Sequence, residues 1–261
     1  MTTTAHAGRR ATGAGAGTRI GTGAGQGSKT RNGSGARRGL FGLRNETMET
    51  IFGYAYALLM VDVLLVVFNL PLAVMLFVTV DSLASWPFFL LLSLTLAPSL
   101  VGAFEVFRSM KTEGRPRPFA AFWQGYRRRG GPAFIVGLVT AAVVGVVLLD
   151  GTITAGTVWA PLLGPLFAVL GIGSVAAALF ALAGLVVFET ASLKAVAKAA
   201  LYLSVRRWYF SAVSLVMVAL IAAAVLLQPV LGAALVPGIL LYAVFANAQY
   251  SFHRVVEDAK G

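Results

Sequence analysis

The chain has 261 residues, of which 58% are hydrophobic and only 12% charged, with a mean hydropathy of +0.82. A soluble globular domain is nearer one quarter charged, so this composition excludes an ordinary water-soluble fold and makes the bilayer the expected solvent. The net charge of +11 follows an inner membrane face rather than a nucleic acid, and the absence of cysteine excludes disulfides, thiolate nucleophiles and thiol metal sites.

Residues 1–44 hold twelve glycines, eight basic residues and no acid. Such a segment buries too little apolar surface to offset its ordering entropy, and it is predicted to be a disordered, basic cytoplasmic tail. The run Gly13-Ala14-Gly15-Ala16-Gly17 has neither the preceding strand nor the following helix that a phosphate loop requires. Arg9-Arg10 stands about forty residues before the first apolar run, too far for a twin-arginine signal. Residues 45–254 form the expected transmembrane domain, and 255–261 a short C-terminal tail.

Six apolar runs follow: Ile51–Val80, Phe88–Phe107, Pro132–Leu149, Leu162–Phe188, Tyr209–Leu227 and Val230–Ala246. About twenty apolar residues cross a hydrocarbon core of roughly 30 Å. The first run is too long for one straight crossing, and Asn69-Leu70-Pro71 interrupts it, because proline removes a backbone hydrogen bond and kinks a helix. The fourth carries Gly164-Pro165 and then Gly171, Gly173 and Gly184, small residues that let helices approach closely. The sixth is short and broken by Gly232, Pro237 and Gly238; with only Gln228-Pro229 before it, a tight hairpin with the fifth is expected.

The basic residues fall 8 before the first run, 7 in 108–131, 4 in 189–208 and 2 after the sixth, which accounts for all 21. The intervening segments 81–87, 150–161 and 228–229 hold none, and carry Asp81 and Asp150. Positive loops stay inside, so both termini are expected in the cytoplasm, with anionic lipid headgroups against the basic face.

Two of the basic segments have a helical periodicity of their own. Phe119, Phe122, Trp123 and Tyr126 recur at i, i+3, i+4 and i+7, followed by Arg127, Arg128 and Arg129. Leu193, Val196, Ala197, Ala200 and Leu201 repeat the pattern, with Lys194 and Lys198 off the stripe and Arg206-Arg207 after it. Each predicts an amphipathic helix in the headgroup region, either an elbow into the next span or a docking surface for a cytoplasmic partner. The fold class is thus all-α: a polytopic membrane bundle of about six transmembrane helices with two cytoplasmic amphipathic helices.

Several of these residues carry a likeness. Asp62 stands nine positions before Pro71; Ala97-Pro98-Ser99-Leu100 and Gly102-Ala103-Phe104-Glu105-Val106-Phe107-Arg108 close the second run; Phe122-Trp123-Gln124-Gly125-Tyr126-Arg127 and Lys198-Ala199-Ala200-Leu201-Tyr202-Leu203-Ser204 come later. In these motifs, over about residues 39–254, the chain resembles the YesL family of bacterial integral membrane proteins, defined by a domain of unknown function. It departs from the family in having Asp62 where asparagine is usual. The resemblance implies a bacterial plasma-membrane protein associated with carbohydrate ABC importers, in an accessory or regulatory role.

Catalytic chemistry is poorly supplied. His6 and His253 lie in the tail and at the C-terminal membrane exit, no base–nucleophile pair or metal-ligand cluster can be named, and no Walker loop is present. No enzyme activity, cofactor or metal is therefore expected. Asp62 is the acid well inside a span, where a carboxylate costs about 2.5–3.5 kcal/mol on insertion scales and must find protein or water. It is either a polar clasp, with Asn69 or Asn247 as candidate partners, or a proton or substrate site. Glu105 and Glu189 are expected at span ends beside Arg108 or Lys194. The leading expectation is a non-enzymatic partner of importer permease subunits; the alternative is a self-contained small-solute transporter or channel with Asp62 in its pathway.

Overall fold

The computed structural model describes residues 35–79, 85–113 and 117–258, and every regular element among them is helical. The tail features on residues 1–34, including His6, Arg9-Arg10 and the glycine run, lie outside the described residues, as do Asp81 and Ser82. By its contacts the chain divides into Met1–Leu43 and Arg44–Gly261, and the second unit holds the helices of the bundle.

Among the described residues, five stretches are long and apolar enough to cross a membrane: Ile51–Phe68, Trp86–Thr112, Pro118–Thr154, Ala160–Val187 and Trp208–Leu227. They coincide with the first five expected runs. Their outer faces carry large exposed hydrophobics such as Val139, Val169, Val216 and Leu220. Apolar surface of that extent is stable against lipid tails and not against water.

The first run breaks where its proline says it should. Helix α1 (Gly35–Phe68) stops, Asn69 leaves helical geometry at φ −113° and ψ 24°, and α2 (Leu70–Val78) restarts with Pro71 in its first turn. Pro71 has no N–H to give and fits the start of a helix better than its interior. The second span is α3 (Trp86–Leu92), a 3₁₀ turn at Ser93–Thr95, and α4 (Leu96–Glu113).

The first of the two expected amphipathic helices is not a separate element. Residues 119–129 are the opening turns of α5 (Pro118–Thr154), a single helix of 37 residues that continues through Pro132. At 1.5 Å per residue it is about 55 Å long, well beyond the roughly 30 Å of a hydrocarbon core. Proline removes one rung of the ladder, and the contacts of α5 with its neighbours hold the rest. After α6 (Ala160–Val187), the second amphipathic helix is a free-standing one, α7 (Leu193–Arg206), with the Ser192 side chain accepting from the Ala195 N–H at its start. Its buried face is Val196, Ala200 and Leu203. That face is turned from the expected stripe, because Ala197 and Leu201 are exposed.

The sixth run departs from expectation. After α8 (Trp208–Leu227) it splits into α9 (Pro229–Leu235) and α10 (Pro237–Asp258). Pro237 cannot donate to the carbonyl of residue 233, so the ladder ends there. Asn247, Gln249, His253 and Arg254 then make α10 too polar to count as an apolar span. The expected hairpin does form: α9 folds onto α8 so closely that a side chain at Gly232 would collide with the Ala224 backbone.

One side of α10 runs through the core, with Leu241, Val244, Phe245 and Ala248 buried. Phe245 stacks on Phe104 with ring centres 5.4 Å apart, and Tyr242 meets Phe107 edge-on at 5.5 Å. Val61, Val101 and Val186, all fully buried, complete this centre.

The close approaches lie only in part where expected. A Cβ on Gly173 would meet nothing within 4 Å, and one on Gly171 only ordinary contact with Val147. Gly184 is tight, lying under Val196 and Phe252. The main seam joins α4 and α5, where a Cβ on Gly125 would stand 2.7 Å from Glu105 Cβ, and one on Gly137 2.7 Å from Ala97 Cβ. Gly125, Ala133, Gly137, Ala141 and Gly145 recur at multiples of four on α5, a stripe that lets two backbones touch. Gly137→Val is expected to lower the apparent melting temperature in detergent by several degrees, overpacking of this kind costing about 1–3 kcal/mol. Gly173→Val should leave it unchanged, as fluorescence-detected size exclusion after heating will show.

Candidate functional site

Asp62 is 2% exposed, and its partner is neither Asn69 nor Asn247. Its Oδ1 accepts the backbone N–H of Gly238 at 2.5 Å, across 176 positions of sequence. The first N–H groups of a helix have no partner within it, and its start carries partial positive charge. Asp62 on α1 therefore caps the start of α10, supplying in the interior what a serine or aspartate beside the helix would supply in water. The absence of a side chain at Gly238 permits this. A Cβ there would lie 2.7 Å from the Leu58 carbonyl and 3.0–3.1 Å from the two carboxylate oxygens.

Asn69 does a similar service at the other break. Its Nδ2 donates to the Leu65 carbonyl at 2.8 Å, and its Oδ1 accepts from Thr95 Oγ1 at 2.9 Å. The interruption between α1 and α2 is thus tied to the 3₁₀ turn between α3 and α4. Asn247 works on a third contact, donating to the Phe210 carbonyl and to Ser214 Oγ, both at 2.8 Å, and so joins α10 to α8.

The aromatic stripe at the start of α5 does not present one face. Phe122 is buried against Gly102, with Phe68 at 5.0 Å, and Tyr126 packs on Phe68 at 4.9 Å. Phe119 is 57% and Trp123 43% exposed. These two, with Gln124, Arg127 and Arg128, line a shallow hollow of about 590 Å³. Arg127 lies over the Trp123 ring at 5.9 Å, and Arg129 is half-buried on the α4 side. Sequence periodicity alone could not separate the two pairs, because the signal that did so is Phe68, at the end of another helix.

Arg108 organises this end of the bundle. Its guanidinium pairs with Glu105 at 3.4 Å and with Glu189, and donates to the Val186 carbonyl at 3.0 Å. It therefore ties α4 to the end of α6, and the hydrogen bond it gives holds the Glu189 carboxyl below the usual carboxylate range. Lys194, a candidate partner from sequence, pairs with neither acid. Lys111 reaches Gln249 at 2.7 Å and lies over the Tyr242 ring, fixing α4 to α10.

Among the described residues no three His, Asp or Glu side chains gather as metal ligands. Residues 58–151 match the family model described as Protein of unknown function, DUF624. The DUF624 match spans the later part of α1 to most of α5, and so takes in Asp62, Asn69, Arg108 and the aromatic opening of α5. It leaves α10, with Gly238, outside. No curated protein matches the chain, and no solved structure does.

The cap has a direct test. Asp62→Asn keeps an oxygen that can accept from Gly238 and should melt within a degree or two of the wild type. Asp62→Leu leaves a buried N–H without a partner, at a cost of about 1–3 kcal/mol, and Gly238→Ala pushes the two helices apart. Both should melt several degrees lower in the same detergent. Equal melting of Asp62→Leu and wild type would show that the cap contributes nothing to stability.

Proposed function

We propose that this chain is a non-enzymatic bacterial plasma-membrane protein that assists or regulates a carbohydrate ABC importer, docking through the exposed side of the first turns of α5. The observation that carries the docking is the hollow of Phe119, Trp123, Arg127 and Arg128. Two aromatics left uncovered beside arginines are the residue types that anchor protein interfaces. The importer as partner rests on the resemblance to the YesL family, and the orientation on the one-sided placement of basic residues, which sets the arginine-rich end in the cytoplasm.

A transporter acting alone is the second reading. What favours it is the broken sixth segment, since a helix start facing a buried acid is how many transporters build a substrate or ion site. Against it stands the engagement of Asp62 with a backbone N–H, which leaves the carboxylate without an open path.

Two measurements bear on these readings. Phe119→Ala/Trp123→Ala should be inserted at wild-type levels, since both side chains are exposed, yet lose most of the ABC permease subunits that co-purify with the wild type in mild detergent. The same partner profile in both would refute docking here, and an unaccompanied wild type that gives solute flux in proteoliposomes would favour the transporter. For orientation, the cysteine-free chain allows single replacements. An impermeant thiol reagent added to intact cells should label Thr157→Cys and spare Ser192→Cys, both sites being exposed at opposite ends of α6.

A further inference from the structure

Two recesses lie beside α7, where α5, α6 and α7 come together. The larger, of about 460 Å³, is a groove between α5 and α6 with walls from Val136, Val139, Val143, Ala177 and Ala181, and with Leu193 and Lys194 of α7 at one end. Its walls belong to two of the stretches apolar enough to span a membrane, and Val139 is 58% exposed beside it. The smaller, of about 180 Å³, lies at the basic end, with Arg128, Arg129, Pro132, Phe188 and Glu189 around it. Leu193 lines both, so the groove opens at its α7 end beside the basic recess.

The charges there are unbalanced. Glu189 is already engaged by Arg108, whose remaining donors go to Glu105 and the Val186 carbonyl. Arg128 and Arg129 attract Glu105 and Glu189 at longer range, but neither they nor Lys194 makes a close ion pair among the described residues, and cations outnumber acids at this end. Arg128 and Arg129 in the recess and Lys194 on the groove thus stand where the apolar slot meets the basic end. Basic recesses between transmembrane helices at the headgroup level are suited to anionic lipid heads.

We infer that one anionic phospholipid binds here, with its phosphate between Arg128, Arg129 and Lys194 and one acyl chain laid along the groove between α5 and α6. A free anion would use only the recess, and a zwitterionic lipid would bring its own cation against the arginines. A lipid with net negative charge uses both parts, its phosphate meeting the cations and its chain packing against the apolar walls of the groove. The bound lipid would sit between α5, α6 and α7, on the face of α5 opposite its seam with α4.

The test is native mass spectrometry of the whole chain, stripped of lipid in detergent and titrated with phosphatidylglycerol or phosphatidylcholine of matched chains. The expected result is one tightly retained phosphatidylglycerol and weak, unsaturated phosphatidylcholine. Arg128→Gln/Arg129→Gln should weaken phosphatidylglycerol retention by about thirtyfold, two surface cations' worth of attraction. Ala177→Phe, which fills the groove and leaves every cation in place, should weaken it too. Equal retention of the two lipids by the wild type, or wild-type retention in Ala177→Phe, would overturn the inference. So would displacement of phosphatidylglycerol by millimolar inorganic phosphate, which would mark the recess as a site for anions without a chain. Because Ala177→Phe touches no arginine, it decides the matter even if the double arginine variant does not fold.

Discussion

A helix that starts inside a membrane protein exposes backbone N–H groups where no water can meet them, and most of this fold is arranged around that constraint. Pro237 makes such a start in the last segment, and Asp62, from α1, satisfies the first N–H beyond it. Each unsatisfied group in hydrocarbon costs several kcal/mol, so the break and the acid are tolerable only together. The same contact explains why α10 can lie among Phe104, Phe107 and Val61: its start is fixed to the first helix, and its length then runs along α4.

The other irregularities obey the same rule. Asn69 and Thr95 join two interruptions side by side, so that each break supplies a polar partner to the other. Ser93 and Ser99 also turn their hydroxyls back onto helical carbonyls, at 2.7 and 2.8 Å. Either an amide or a carboxylate oxygen could accept from Gly238, which is why asparagine in the resembled family and aspartate here are compatible with one backbone arrangement. The carboxylate has the further advantage of a negative charge against the positive start of a helix.

Much of this fold is legible in the sequence because lipid is an undemanding solvent. Length and apolarity alone locate five spans, and Asn69-Leu70-Pro71 announces the first break. The sixth segment resists the same reading because its stabilising partner is remote: Pro237-Gly238 signals a stop, but nothing nearby says that residue 62 will cap the helix starting there. The aromatic stripe on α5 fails for the same reason. Its period is helical on either reading, and only Phe68, brought in by another helix, divides Phe122 and Tyr126 from Phe119 and Trp123. Glycines are ambiguous in kind, since Gly137 and Gly173 look alike until a neighbouring backbone stands against one of them.

The basic end shows how few of its charges the fold consumes. Of its cations, Arg108 ties α4 to the end of α6 and Lys111 ties α4 to α10. Among the described residues Arg127 lies on a tryptophan ring, while Arg128, Arg129 and Lys194 make no close ion pair, Arg128 and Arg129 attracting Glu105 and Glu189 only at longer range. Keeping three cations unpaired around one recess raises self-repulsion, a cost the folded chain bears unless an anion offsets it. A bilayer supplies that anion attached to an apolar chain, and the groove that opens beside the recess has room for the chain. Placed there, a lipid would neutralise the cations at the start of the α5 span while leaving Phe119 and Trp123 uncovered, so that lipid and protein partner would meet only at Arg128, which lines both sites.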